Sequence, residues 1–208
     1  MFKNNYSIII TLFLISILTA SSVVLVYIYT KSRIVFQKEN HQKIILNTLL
    51  PKTFSDMKVS YCFINNELLG DNKNHKFWMV TKNNKLYALI FEVIAPDGYS
   101  GNIKMIVSLD LNSKILGVRT LDHHETPGLG DKIDTHISNW ITKFSGMTVL
   151  GLDDVNFSLK KYGGNIDQFT GATITPLAVV NAIKRTASLS KKLILKNFKF
   201  KNCDCDYE

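Results

Sequence analysis

Ten residues near the C-terminal end, DQFTGATITP (167–176), hold three hydroxyls within six positions: Thr170, Thr173 and Thr175. Gly171 and Ala172 separate the first two, and Pro176 closes the run. Proline suits the first position of a helix, and Thr175 before it is a good N-cap, so a helix is predicted from Pro176. The loop ahead of it then meets the free N–H groups and partial positive charge of a first helical turn, a setting that suits a phosphate. Gly171 lets the backbone turn and come close to a ligand. An ordinary helix cap with turn residues accounts for the same spacing, and the run alone leaves both readings open.

Two further clusters carry polar groups among glycines. In HHETPGLGDK (123–132), His124 and Glu125 are residue types that bind metals or exchange protons, and Asp131 can cap a following helix. A metalloprotease site needs His-Glu-x-x-His on a helix; here TPGLG breaks any helix at once, which excludes it. In APDGYSG (95–101), the Tyr99 ring can stack on an aromatic ligand, and the stretch also reads as a hairpin entry.

The elements that must position these clusters are legible in part. KFWMVT (76–81) and KLYALIFEVIA (85–95) read as strands joined at Asn83-Asn84. GNIKMIVSLD (101–110) and KILGVRTL (114–121) form a second pair around LNS, with Ile103, Met105, Val107 and Leu109 on one face. Loops this short demand antiparallel pairing. DKIDTHISNWITKF (131–144) spaces Ile133, Ile137, Trp140, Ile141 and Phe144 as one helical face. MTVLGL and VNFSL are weaker strand candidates. From Pro176 to about Leu195, Val179, Val180, Ile183 and Ala187 share a face, with Lys184 and Arg185 elsewhere. The fold class is α+β, with an antiparallel sheet and flanking helices.

Ahead of this domain, Ile8 to Tyr29 form an uncharged run of 22 residues. At ~1.5 Å per residue it reaches roughly 33 Å, enough to cross a bilayer core and longer than a signal-peptide core. Residues 31–50 continue as a helix that Pro51 stops. The expected organisation is therefore a cytoplasmic N-terminus and transmembrane anchor over 1–30, a stalk helix over 31–54, a domain over 55–195, and a basic, cysteine-containing tail over 196–208.

The net charge is +8, but the lysines are scattered and no aromatic–basic motif is present, so nucleic acid is not expected as a partner. KSRIVFQK, next to the span, can meet anionic lipid head groups. Lys31, Arg33, Lys38 and Lys43 follow the span, and the positive-inside rule alone places the domain in the cytoplasm. Three cysteines, Cys62, Cys203 and Cys205, cannot form a complete internal disulfide framework, and Cys-Asp-Cys lacks zinc-site spacing. The tail reads as dispensable, and no metal site is expected.

Taken together, the anchor, APDGYSG, HHETPGLGDKI, SNWIT and DQFTGATITPLAVVNAIKR resemble, in this order and over nearly the whole chain, the FMN-binding domain family of Rnf (Rsx) ion-translocating complexes, G subunits most closely. Asp167, Thr170, Gly171, Ala172 and Thr173 meet that family's flavinylation signature, Asp-x-x-Thr/Ser-Gly-Ala-Thr. The resemblance implies FMN joined by a phosphoester to the Thr173 hydroxyl. A separate flavin transferase makes that bond from FAD and releases AMP.

It further implies that the Gly171, Ala172 and Ile174 backbone cradles the phosphate, with Thr170 part of the signature. Tyr99, Ser100, Glu125, Thr126, Leu129 and Gly130 become candidate flavin contacts, and Asp167 serves recognition by the transferase. The implied function is a membrane-anchored electron carrier in a complex that couples electron transfer to ion translocation, or keeps a redox-sensing regulator reduced. Such a chain is one component of a translocase, without independent catalysis, in the bacterial inner membrane beside the other subunits and lipid. The same resemblance places the FMN domain in the periplasm, against the lysine count. A nicotinamide site is not expected, because no strand–GxGxxG–helix unit is present. The alternatives are the C subunit of a sodium-translocating NADH:quinone reductase, and a non-redox assembly or scaffold protein.

Overall fold

The computed structural model describes residues 3–49, 57–83, 85–195 and 205–206. The chain divides into two compact units, Met1–Asn47 and Thr48–Glu208. Helix α1, Lys3–Leu49, runs unbroken for 47 residues, so the expected span and stalk are one helix. Tyr6–Leu46 is long and apolar enough to cross a membrane. The side chains of Ile8, Phe13, Leu18 and Leu25 are exposed. The hydroxyls of Thr11, Ser16, Thr19 and Ser22 donate to carbonyls one turn earlier. Such self-contained bonding is what an apolar solvent demands. Pro51 lies outside the described residues.

The second unit is built on an antiparallel sheet in the order β5-β4-β3-β2-β1-β6. Its strands are β1 (Met57–Asn65), β2 (Asn74–Lys82), β3 (Lys85–Ala95), β4 (Ile103–Asp110), β5 (Ile115–Asp122) and β6 (Cys205–Asp206). The four strands expected from alternation are present, and β1 adds to them. Between β2 and β3, Asn83 adopts φ 52°, the left-handed geometry that asparagine tolerates. Between β4 and β5, the Asp110 carboxylate accepts from the N–H groups of Asn112 and Lys114 at 2.8 Å each, closing the LNS turn.

Register places Phe91 opposite Val107 and Val93 opposite Met105. Phe77 lies opposite Phe91 with ring centroids 5.1 Å apart. These side chains and Ile103, Leu109 and Val118 form one buried face of the sheet. Helix α2, Ile174–Leu195, lies against β3 and β4 and buries Val179, Val180, Ile183 and Ala187 into the same core. Each such side chain contributes about 1.5–3 kcal/mol of burial. The opposite face buries Trp78, Val80, Ala88, Ile90 and Ile106. There, Leu49 packs so closely on Gly117 that a Cβ on the glycine would meet it at 2.6 Å.

Three expectations need correction. Residues 131–144 are not an α-helix but two short 3-10 turns, Gly130–Ile133 and Ile141–Phe144. Short polar side chains capture the backbone between them. The His136 N–H donates to Asp134 Oδ1 at 2.9 Å, Ser138 Oγ donates to the Lys132 carbonyl at 2.6 Å, and the Trp140 N–H donates to Ser138 Oγ at 3.2 Å. Ile133, Trp140, Ile141 and Phe144 are buried as their pattern demanded, but Ile137 is exposed. MTVLGL and VNFSL contribute isolated bridges, Lys114 to Thr148 and Leu159 to Ile166, rather than strands. The tail is also more than an appendage, because Cys205 and Asp206 pair with Tyr61 and Ser60 of β1. Cys62 is disulfide-bonded. The rest of 196–208 lies outside the described residues.

Candidate functional site

Helix α2 begins two residues earlier than its proline suggests. It starts at Ile174, and the Thr173 carbonyl accepts the first intrahelical bond, from Leu177 N–H at 3.2 Å. Thr173, not Thr175, is therefore the N-cap residue. Pro176 fits the first turn because its missing N–H is one that would find no helical acceptor there. Among the described residues, the Thr173 hydroxyl makes no hydrogen bond. It is a hydroxyl left available at the positive end of a 22-residue helix.

Upstream, Phe169 and Ala172 bracket a tight turn, with the Ala172 N–H donating to the Phe169 carbonyl at 3.2 Å. Thr170 and Gly171 form its corner, and Gly171 has φ 80°, as the third residue of a type II turn requires. Trp140 fixes this corner from below. Its indole N–H donates to the Asp167 carbonyl at 2.7 Å, and its ring meets those of Phe144 and Phe169 edge-on, each at 4.9 Å. Lys160 Nζ lies 2.6 Å from the Asp167 carboxylate. That hydrogen bond, together with the Lys160 and Lys143 charges, holds the Asp167 carboxyl below the usual range.

The HHETPGLGDK loop turns in the same manner. Pro127 and Gly128, with φ 78° at the glycine, form a turn whose Thr126 carbonyl accepts from Leu129 N–H at 3.2 Å and Gly130 N–H at 3.1 Å. The turn carries Glu125 into the interior, where it is 5 % exposed. Glu125 Oε2 accepts the Thr175 hydroxyl, and Oε1 accepts the Ser100 N–H at 3.0 Å. The Glu125 N–H donates to His123 Nδ1 at 3.2 Å. Among the described residues, no cluster of three or more His, Cys, Asp or Glu side chains could hold a metal ion.

The three loops meet around a cavity of about 240 Å³. Its lining comprises Tyr99, Glu125, Thr126, Leu129, Gly130, Gly171, Ala172, Thr173, Ile174 and Thr175. Most of the expected site residues thus come together at one place. Ser100 and Thr170 lie beside it rather than in its wall, and Asp167 lies at the neighbouring Trp140 pocket. Tyr99, Leu129 and Ile174 form an apolar rim and are 67 %, 41 % and 49 % exposed. Two residues that matter here were not expected from sequence. Spacing alone makes Thr175 a cap and Trp140 one apolar position on a helix. The available signal was their presence in SNWIT and TGATIT.

Residues 98–188 match the FMN-binding domain family. The chain is 57 % identical over 195 residues to the G subunit of the ion-translocating oxidoreductase complex of Buchnera aphidicola subsp. Baizongia pistaciae, covering 92 % of this chain and 90 % of that protein. It is 47 % identical to the protein of the same name from Photorhabdus laumondii, covering 86 % of each. With that of Escherichia coli O157:H7 it shares 42 % identity, over 79 % of this chain and 80 % of the other. With identities of 42–57 % over 79–92 % of its length, the chain belongs to the family of G subunits of ion-translocating oxidoreductase complexes.

Proposed function

We propose that this chain is a membrane-anchored flavoprotein that relays electrons as one component of an ion-translocating oxidoreductase complex, with FMN joined by a phosphoester to Thr173. The observation that carries the proposal is the Thr173 hydroxyl. It sits at the head of α2, unengaged among the described residues, in the wall of a cavity built from three glycine-bearing loops.

The residues present fit the group. Gly171 brings backbone to the cavity where φ 80° excludes most side chains. The Ile174 and Thr175 N–H groups lie in the first helical turn, before intrahelical bonding begins, so they suit phosphate oxygens. Tyr99, Leu129 and Ile174 offer exposed apolar surface against which a flat ring can pack. At about 240 Å³ the cavity is smaller than common ligand pockets of roughly 300–1,000 Å³, so it would hold only part of a flavin. Bound FMN supplies the redox chemistry, and the chain supplies attachment, orientation and an apolar rim.

The partners are the other subunits of the complex, a flavin transferase during maturation, and membrane lipid around α1. The FMN domain belongs on the periplasmic side of a bacterial inner membrane with a single span. The disulfide at Cys62 supports that side, because disulfides persist in oxidising compartments and are rare in the cytosol. The lysine count after the span points the other way. The relatives' shared designation as G subunits favours this reading over the C subunit of the sodium-translocating reductase.

The test is co-expression with a flavin transferase, followed by intact-mass analysis and in-gel flavin fluorescence. The expected result is an FMN-phosphoryl adduct on the peptide containing Thr173, lost in Thr173→Ala and kept in Thr170→Ala. Absence of the adduct from the unaltered chain overturns the flavin reading and leaves the scaffold alternative.

A further inference from the structure

Glu125 is a buried acid whose two oxygens are already committed inside the protein. Oε1 accepts the Ser100 N–H and Oε2 accepts the Thr175 hydroxyl. Among the described residues, no cation pairs with it. Glycines close around it on two sides. A Cβ on Gly98 would meet Oε1 at 3.0 Å, and one on Gly130 would meet Oε2 at 2.8 Å and the Thr175 hydroxyl at 2.7 Å. The backbone has thus been brought against this carboxylate in a way that only glycine permits.

This arrangement makes Glu125 a poor ligand for a phosphate. A carboxylate has no donor to offer a phosphate oxygen, and like charges side by side repel; each oxygen, moreover, already accepts one bond within the protein. Its two bonds instead join the loop of Tyr99 and Ser100 to the first turn of α2, through the loop on which Glu125 itself sits. We propose that Glu125 is a positioning residue that clamps these three segments together through Ser100 and Thr175, and so fixes the flavin pocket without binding the phosphate. Thr175 acts in this clamp rather than as a cap, which gives the third hydroxyl of the signature run a task separate from attachment. The proposal rests on the FMN reading given above.

The experiment uses the full chain co-expressed with a flavin transferase, in detergent, as wild type, E125Q, E125A, T175S and T175V. Glutamine keeps an oxygen for the Ser100 N–H and can donate to the Thr175 oxygen, and serine keeps the hydroxyl. Both should retain the visible circular dichroism of the protein-held flavin. T175V keeps the side-chain volume and loses the bond, so the dichroism should fall severalfold although the adduct mass remains. Loss of the adduct from T175V but not from T175S would support the same clamp acting at the attachment step. Amide exchange at Ser100 gives a readout free of flavin, and it should be about tenfold faster in E125A than in E125Q. Unaltered dichroism in T175V, or equal loss in T175S, overturns the proposal; T175V decides it should E125A fail to fold. If the unaltered chain carries no adduct, the FMN reading fails, and Ser100 exchange still decides the clamp.

Discussion

The indole N–H of Trp140 donates to the Asp167 carbonyl at 2.7 Å, joining the SNWIT stretch to the first residue of the signature run. The bond reaches 27 residues along the chain, and the same ring packs on Phe169 two positions further on. Trp140→Phe keeps most of the packing and removes the donor. It should cost about 1 kcal/mol, a fall in Tm of about 2–4 °C for the solubilised chain. Trp140→Ala should cost about 3–5 kcal/mol, because a cavity opens between Phe144 and Phe169. Equal melting of the Phe variant and wild type would show that the bond contributes nothing.

Two glycines of the same loop separate strain from collision. Gly128 has φ 78° and open space where a Cβ would stand, so Gly128→Ala should cost only the left-handed penalty of about 1–2 kcal/mol. A Cβ on Gly130 meets the Glu125 carboxylate and the Thr175 hydroxyl. Gly130→Ala should therefore disturb the pocket as well as the Tm, costing about 1–3 kcal/mol and lowering visible flavin dichroism. The Gly128 variant should keep that dichroism, and the paired spectra check the distinction.

Acid sensitivity should centre on Asp154. Burial pushes its carboxyl up, but the Leu150, Phe157 and Asn156 N–H groups and the Lys184 charge outweigh that and hold it below the usual range. As pH falls, the unfolded chain therefore takes up this proton before the folded one does. The stabilisation is fully present above the unfolded value of about 3.9 and is lost as pH drops through the lower folded value. Asp154→Asn should cost about 1–3 kcal/mol at neutral pH. The gap from wild type should narrow on acidification below about pH 3.9, which thermal melts across pH will measure.

Cys62 offers a test of compartment. In intact cells it should resist a thiol-alkylating reagent until a reductant is added, as expected of a disulfide held in an oxidising space. Labelling without reductant would place the domain on the reducing side.

Much of the fold was legible because alternation in β2 through β5 has one solution once loops are short. The apolar helix was legible from length and lack of charge alone. Residues 131–144 misled because Ile133, Trp140, Ile141 and Phe144 do share a buried side, but Asp134 and Ser138 supply the backbone with partners that a helix would have denied them. The α2 start was misplaced because Pro176 and Thr175 suggest a cap, whereas the helix begins at Ile174 and Thr175 bonds across to Glu125. A long-range contact of that kind leaves no local mark. The threonine run was visible as a site, and the division of labour within it was not.

The order of the sheet also bears on how the protein matures. Strands β1 to β5 pair with their sequence neighbours, so each hairpin closes a short loop and can form early. The bond between Glu125 and Thr175 must instead close 50 residues of chain, and its second half reaches the pocket only when α2 docks. A chain emerging from synthesis can therefore pair β1 to β5 before it closes its site. In that interval Thr173 would lie on an undocked segment beside the paired strands β1 to β5, the state in which the proposed flavin attachment would find its hydroxyl most open to approach.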